Sequence, residues 1–493
     1  MNIKKKQLPK QINLERLKDK DVLMNFNGGK ITSDAGIILL SELDKKLKIT
    51  EKFSKCFQDY RHSSYTDYSL HNLLAQRIYG IILGYEDVND HDLLRYDPAL
   101  EIALKKLNNS YLKTDTLAGK STINRLEYCP LKIINQKESR YHKIEAIPEE
   151  IEKAFVEIFL NYYKKEPKNI ILDIDVTDDL VHGLQEESYY NKYYRAVCYA
   201  PLYIFCGHHL LGAKLRPSNV DAADGALEEL TRIIELIREK WKNVNIIIRG
   251  DSAYCREEIM KMCEDEGNSD YYLAMARNAQ LKLRTKDIIE KAKRDYESRL
   301  EPITKFMESI FAKDEDLEIV GKLVKNSTWY RSLSYKTETS WSKKRRVVTK
   351  VEYGYEGLEM RHVVTSLPAN KIPPSLVYTK KYCPRGDMEN RIKEQQLDLF
   401  ADRTSTQTFN SNQLRLWLSS MAYVLVQTYR KKCLVKTKFA KATVRTIRLY
   451  LMKLGAKIME STRRIKIEIT SSYIYQDILG IVASRMKAIP NTE

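Results

Sequence analysis

The stretch Ile170-Ile171-Leu172-Asp173-Ile174-Asp175-Val176-Thr177-Asp178-Asp179 carries the most informative pattern in the chain. Its first seven residues predict a short buried strand, yet that strand contains two acids. An unpaired ionised carboxylate in a low-dielectric interior costs several kcal/mol or shifts its pKa, so the pair needs a compensating partner. Side chains alternate across a strand, which puts Asp173 and Asp175 on one face. Two hard oxygen donors on one face suit a divalent cation; a single acid there would read as a salt-bridged strand end.

Working outward, Tyr193 to Phe205 and Leu210 to Leu215 read as two further strands, and Leu227, Leu230, Ile233, Ile234, Ile237 and Trp241 mark a helix. Asn245 to Arg249 reads as a fourth strand, followed by a helix over Ser252 to Glu266 that Gly267 closes. Strand–helix–strand crossovers are right-handed and parallel in nearly all cases, so the Ile246 strand should lie parallel to the Ile170 strand, with their C-terminal ends close together. The fold class expected is therefore α/β.

Two more acids fall at informative places. Ile246-Ile247-Ile248-Arg249-Gly250-Asp251-Ser252 ends an apolar strand in an acid, which serves either as a helix N-cap or as a strand-end functional group. In Tyr382-Cys383-Pro384-Arg385-Gly386-Asp387-Met388-Glu389, a helix would put Arg385, Glu389 and Gln396 on one face, locally no more than an exposed ion pair. Together, Asp175, Asp251 and Glu389 offer three carboxylates able to hold two metal ions for phosphodiester chemistry.

The surrounding chain is basic. Its 493 residues carry 83 Lys+Arg against 66 Asp+Glu, a net +17. Residues 401–493 hold 17 Lys+Arg and five acids, so +12 of that excess lies at one end. Such asymmetry points to a polyanionic partner, nucleic acid first, or to a solvated surface kept for solubility. No window reaches the roughly 18 apolar residues of a spanning helix, and Lys4 to Lys6 precede no signal-peptide core, so a cytoplasmic protein is expected. The eight cysteines form no C-x-x-C pair, so neither a zinc knuckle nor a dithiol redox site is indicated. Gly119-Lys120-Ser121-Thr122 lacks the earlier glycine and strand of a P-loop, and Asp87 to Asp92 lacks the glycine and glutamate of a calcium loop. His208-His209 reads as packing in a hairpin.

At these residues the sequence resembles a DDE transposase of a bacterial insertion sequence, of the group whose glutamate sits in a Tyr-x2-Arg-x3-Glu-x6-Lys signature. Tyr382, Arg385 and Glu389 match it, with Gln396 where the family has lysine. Asp175-Val-Thr177 matches the family's first aspartate motif and Arg249-Gly-Asp251-Ser its second. Gly80-x3-Gly84-Tyr85-Glu86-Asp87, Ser121-Thr122-x2-Arg125-Leu126-Glu127 and Tyr199-x-Pro201-Leu202 extend the resemblance over nearly the whole chain.

The resemblance implies a ribonuclease H-like core with a β-rich insertion and a catalytic and metal-binding set of Asp175, Asp251 and Glu389. Thr177, Tyr382 and Arg385 would support it, and Asp173 stays open as the alternative first ligand. Two Mg²⁺, or Mn²⁺ in their place, are implied as cofactors. Double-stranded DNA, as terminal inverted repeats and as target, is the implied partner, with Arg385, Lys393, Arg346 and Lys350 as its contacts and a homodimer in the synaptic complex. Relatives that close cut ends as hairpins flip a base onto aromatics, for which Trp329 and Trp341 are candidates beside their reading as packing. The expected division is a helical end-binding domain (1–130), a linker and helix (131–168), the first part of the core (169–283), a charged helix and β-rich insertion (284–370), the second part of the core (371–430) and a basic C-terminal region (431–493). A structure-selective nuclease and a non-catalytic end-binding protein are the alternative functions.

Overall fold

The computed structural model describes residues 11–108, 116–129, 143–309 and 314–491. Lys4 to Lys6 and the Asn135 end of the linker lie outside the described residues. The chain divides into two compact units, one of Pro148–Gln396 with Ala401–Ser420, the other of Met1–Ile147 with Leu397–Phe400 and Met421–Glu493.

The first unit is a mixed α/β structure built on one eight-stranded sheet. Its strands are β1 (Asn169–Val176), β2 (Leu202–Cys206), β3 (His209–Lys214), β4 (Asn245–Gly250), β5 (Ser269–Met275), β6 (Ser327–Tyr335), β7 (Arg345–Gly354) and β8 (Gly357–Thr365), in the order β3-β2-β1-β4-β5-β8-β7-β6. β1 and β4 are parallel, as expected, with Ile170 opposite Ile246 and Asp173 opposite Arg249. Alternation along β1 sorts its residues by chemistry. Ile170, Leu172 and Ile174 join Leu202, Ile204 and Leu211 in a core closed by Phe159 of one helix, Leu230, Ile233 and Ile237 of a second, and Ile259 of a third. Ile171 faces the opposite way, into a smaller core of Ile247, Tyr272, Val348, Val363, Val377 and Tyr378. Asp173 and Asp175 share that second face.

Several elements depart from the sequence expectation. The stretch Tyr193 to Phe205 is two strands, because Pro201 lacks the N–H that a continuous ladder requires. Ala196–Tyr199 instead pairs with Asp179–Leu180 and Tyr189–Asn191 in a separate small sheet. The helix expected from Ser252 starts as a 3₁₀ turn, Ser252–Tyr254, and becomes α-helical at Glu257–Glu266. Within the charged helix and β-rich insertion expected over 284–370, residues 318–323 belong to the helix Asp314–Leu323, where Glu318 and Lys322 pair one turn apart. The three insertion strands continue the core sheet through β8, whose Thr365 lies opposite Tyr272 of β5. The helical segment expected to carry Arg385, Glu389 and Gln396 begins at Pro374 and passes through a wide π turn, Val377–Tyr382, and a 3₁₀ turn, Cys383–Gly386, before the α-helix Asp387–Lys393. Pro384 has no N–H and its ring crowds the preceding turn, which accounts for the irregular winding.

The second unit contains the helices Ile37–Leu47, Leu70–Leu83 and Lys120–Glu127. It opens on a hairpin, Gln11–Leu17 with Lys20–Asn25, rather than on a helix; Ile12 lies opposite Met24 and Leu14 opposite Val22, a period of two inside a segment read as helical. The family-like stretches around Gly80 and Arg125 meet at a buried ion pair, Arg77 Nε to Glu127 Oε1 at 2.5 Å, while Arg77 also donates to the Tyr85 and Glu86 carbonyls. Asp87 caps the 3₁₀ turn Val88–Asp90, and Gly119 precedes the Lys120 helix as its cap. The basic C-terminal region, set apart in the sequence reading, pairs with the N-terminal segment: Ala456–Ser461 lies between Lys30–Thr32 and Arg464–Ile469. Among the described residues no helix is long and apolar enough to cross a membrane.

Gly250, at the end of β4, sits where a Cβ would come within 2.9 Å of Tyr254 Cδ2 and 3.0 Å of Ile174 Cγ2. Gly250→Ala is therefore expected to destabilise the first unit by about 1–3 kcal/mol, measurable by urea denaturation; an unchanged midpoint would contradict the close packing described.

Candidate functional site

The register of β1 and β4 builds the centre of the site. Asp173 and Arg249 lie opposite each other, and Asp175 and Asp251 each stand two residues further along the chain, Asp251 just past the end of β4. Asp175 is buried; its Oδ2 accepts from Arg385 Nη1 at 2.7 Å and its Oδ1 from the Val176 N–H at 3.1 Å. Burial pushes its carboxyl up to about 6, with Arg385 opposing and the negative charge of Asp251 adding to the shift. Asp251 is half-buried and caps the following turn, accepting from the Ala253 N–H at 2.9 Å. Glu389 is 54% exposed at its side chain, one helical turn past Arg385, with Oε1 3.6 Å from Arg385 Nη2.

Arg385 is the common neighbour. Burial works against its charge, yet Asp175, the Tyr382 hydroxyl, Asp251 and Glu389 hold its pKa above the ordinary arginine value. The three carboxylates singled out from the sequence thus converge electrostatically on one guanidinium. Tyr382 is half-buried beside it, its hydroxyl pKa raised by burial and opposed by Arg385.

Asp173 has a different environment. Its two oxygens accept from Arg249 Nε at 2.5 Å and Nη2 at 2.9 Å, and Arg391 Nη1 lies 3.6 Å away. Arg249 also donates to the Lys381 carbonyl at 2.7 Å, tying β4 to the helical segment that carries Tyr382, Arg385 and Glu389. Asp173 is committed to a buried bidentate pair, whereas Asp175 shares a single arginine; the structure distinguishes two acids that the alternation alone could not.

The remaining expected residues divide. The Thr177 N–H donates to the Pro201 carbonyl at 3.3 Å, and Gln396, standing in the family's lysine position, donates from Nε2 to the Asp178 carbonyl at 2.7 Å. Both brace the exit of β1. Lys393 is exposed at the end of its helix. Arg346, expected as a DNA contact, donates to Ser332 Oγ and to the carbonyls of Leu367, Pro368 and Ile372 at 2.8–3.1 Å. Lys350 pairs with Glu352 and lies 5.5 Å from the Tyr378 ring. Trp341 is buried against Tyr335, and Trp329 is half-buried beneath Lys291, 4.0 Å from the ring, so both serve as packing. His209 packs on Tyr162 at 4.6 Å between ring centres.

Sequence reasoning missed Tyr254 and Arg216. Tyr254 is fully buried, its hydroxyl has no hydrogen-bond partner among the described residues, and burial with the charges of Asp175 and Asp251 pushes its pKa up against the opposing effect of Arg216. Arg216 is buried too, donating to the Ala200, Ala222 and Asp224 carbonyls. The one available signal was position: Tyr254 follows Asp251 by three residues.

The family model described as transposase DDE domain group 1 matches residues 14–491. The chain belongs to this family. Among solved structures it is similar to the piggyBac transposase synaptic complex with hairpin DNA, at 10% identity and a TM-score of 0.34, over 92% of this chain and 81% of that one. No curated protein sequence matches.

DDE transposases generally use divalent metals. The oxygen donors of Asp175 and Asp251 fit such an ion, since a cation would offset the burial cost and the Asp251 repulsion that together raise the Asp175 pKa. Among the described residues no three ligands already converge as a metal-holding group; Arg385 bridges Asp175 and Glu389 instead.

Two stability measurements follow from these environments. The Asp175 pKa lies above its ordinary 3.8, so the folded chain binds that proton more tightly, and stability falls as pH rises from 3.8 through about 6. Asp175→Asn should therefore stabilise the metal-free protein at neutral pH, by up to roughly 3 kcal/mol, with the gain vanishing below pH about 4. Asp173→Asn should have the opposite effect, costing roughly 3–5 kcal/mol by leaving Arg249 buried without its partner.

Proposed function

We propose that this transposase-family chain binds the terminal inverted repeats of an insertion sequence, cleaves the ends by metal-dependent phosphodiester hydrolysis and joins the freed 3′ ends to target DNA. The observation that carries this reading is the arrangement of Asp175 and Asp251 at adjacent parallel strand ends with Glu389 reaching the same arginine. The mixed sheet supports reading the core as ribonuclease H-like.

Asp175, Asp251 and Glu389 would hold a pair of Mg²⁺, or Mn²⁺ in their place, which supply Lewis-acid activation of a water or 3′ hydroxyl and neutralise charge on the leaving oxygen. Arg385 offers a planar fork of donors suited to a phosphate near the scissile bond, and Tyr382 orients that fork. Asp173 holds the strand ends in register, and Gln396 fixes the turn after Asp175. Exposed cations of the C-terminal region supply sequence-independent backbone contacts. Coordinated cutting of two ends calls for a homodimer in the synaptic complex.

Asparagine caps a turn about as well as aspartate, so Asp251→Asn should retain the fold. Strand cleavage of end DNA in Mg²⁺ should be abolished in this variant while gel-shift affinity for the same DNA stays nearly unchanged. Normal cutting by the variant would remove Asp251 from the assignment.

A further inference from the structure

The turn that follows Asp175 leads to another buried acid, in a different environment. β1 ends at Val176, the Thr177 N–H donates to the Pro201 carbonyl at 3.3 Å, and Asp179 pairs with Tyr199 in the small sheet of Asp179–Leu180, Ala196–Tyr199 and Tyr189–Asn191. The Tyr199 hydroxyl donates to the Glu186 carbonyl at 2.5 Å and accepts from Asn412 Nδ2 at 3.4 Å. Asn412 in turn holds the loop before its helix: its Oδ1 accepts from the Thr406 N–H at 3.0 Å and the Thr406 hydroxyl at 2.5 Å, and its Nδ2 donates to the Thr406 carbonyl at 3.0 Å. These bonds tie the segment of Thr404 to the strand partner of Asp179, all within the first unit.

Asp179 is 1% exposed, and neither of its carboxylate oxygens has a hydrogen-bond partner among the described residues. Two hydroxyls share that condition. Tyr203, which β2 places opposite Asp175, is fully buried, Thr404 is 3% exposed, and neither hydroxyl is hydrogen-bonded among the described residues. Burial raises the Asp179 pKa well above the ordinary value; the nearby Thr404 hydroxyl draws it down, and the charges of Asp402 and Asp178 add to the rise. Burial, followed by the charges of Asp179 and Asp402, likewise raises the Tyr203 phenol. The charges acting on Asp179 are thus negative, whereas Asp173 has Arg249 and Asp175 has Arg385.

We propose that Asp179, Tyr203 and Thr404 are side-chain ligands of a buried monovalent cation, sodium or potassium, that fixes the turn after Asp175. A carboxylate removed from water needs an ion pair, hydrogen bonds or a bound cation. A proton on Asp179 would need an aligned acceptor, and the three groups are not hydrogen-bonded to one another. Carboxylate and hydroxyl oxygens are hard donors suited to a hard cation. One carboxylate balances one positive charge, so the ion is monovalent, and its role is structural rather than a share in the Asp175, Asp251 and Glu389 set.

The test is thermal unfolding of the full chain with a chelator present, in potassium, sodium or choline chloride at equal ionic strength; choline is too bulky for a buried site. The midpoint should be higher in potassium or sodium than in choline by about 2–4 °C or more, and the larger rise identifies the ion. Asp179→Asn keeps the shape and removes the charge, so its midpoint should be the same in all three salts. Thr404→Val removes one hydroxyl at similar volume and should raise the cation concentration that gives half the stabilisation by about three-fold or more. Should Asp179→Asn fail to fold, Thr404→Val decides. Equal midpoints of the unmodified chain in the three salts overturn the site, as does a cation dependence that survives undiminished in the variants. No DNA enters the measurement, so either failure leaves the transposase reading untouched.

Discussion

The buried pair of Asp173 and Arg249 is the interaction on which the site depends. A charge removed from water is tolerated only with close, well-aligned partners, and here two parallel hydrogen bonds supply them across neighbouring strands. The pair opposes any slippage of β1 against β4, because a shift of one residue would separate the two charges inside the sheet. Arg249 also reaches the Lys381 carbonyl, so the same guanidinium secures the helical segment bearing Glu389. Three parts of the sequence, more than 200 residues apart at the extremes, are brought into one arrangement by a side chain that need not touch substrate.

Around that anchor the electrostatics are strained by design of position. Asp175 is buried near Asp251 and would lose its charge more readily than an ordinary aspartate, while Arg385 counteracts this. A guanidinium that bridges two acids is a reversible occupant: it lowers the cost of holding the negative charges together and offers the same donors to a phosphate. Binding strength and foldability are thereby linked through one residue.

The strands β1 and β4, their parallel relation and the acids at their ends were legible because short apolar runs and right-handed crossovers are local, strong signals. What separated Asp173 from Asp175 was not legible, since both face the same way and only the tertiary position of Arg249 tells them apart. Arg346 and Lys350 alternate with apolar residues exactly as solvent-facing cations would, yet carbonyls after β8 and the Glu352 carboxylate claim them. The hairpin at Gln11–Asn25 was hidden by its mixture of charges and apolar residues, and the π turn before Arg385 by a helix-compatible sequence. Tyr254 carries no pattern of its own.

The pairing of Lys30–Thr32 with Ala456–Ser461 reaches across almost the entire chain, and Lys453 with Asp34 reinforces it at 2.8 Å. Contacts so distant in sequence incur loop-closure entropy and form late. During synthesis the Lys30–Thr32 segment therefore emerges long before its strand partner, and the sheet of the second unit can close only after Ala456–Ser461 has left the ribosome. A product that stops before Ala456 would lack the sheet that holds Lys30–Thr32, which couples maturation of the unit to synthesis of that strand.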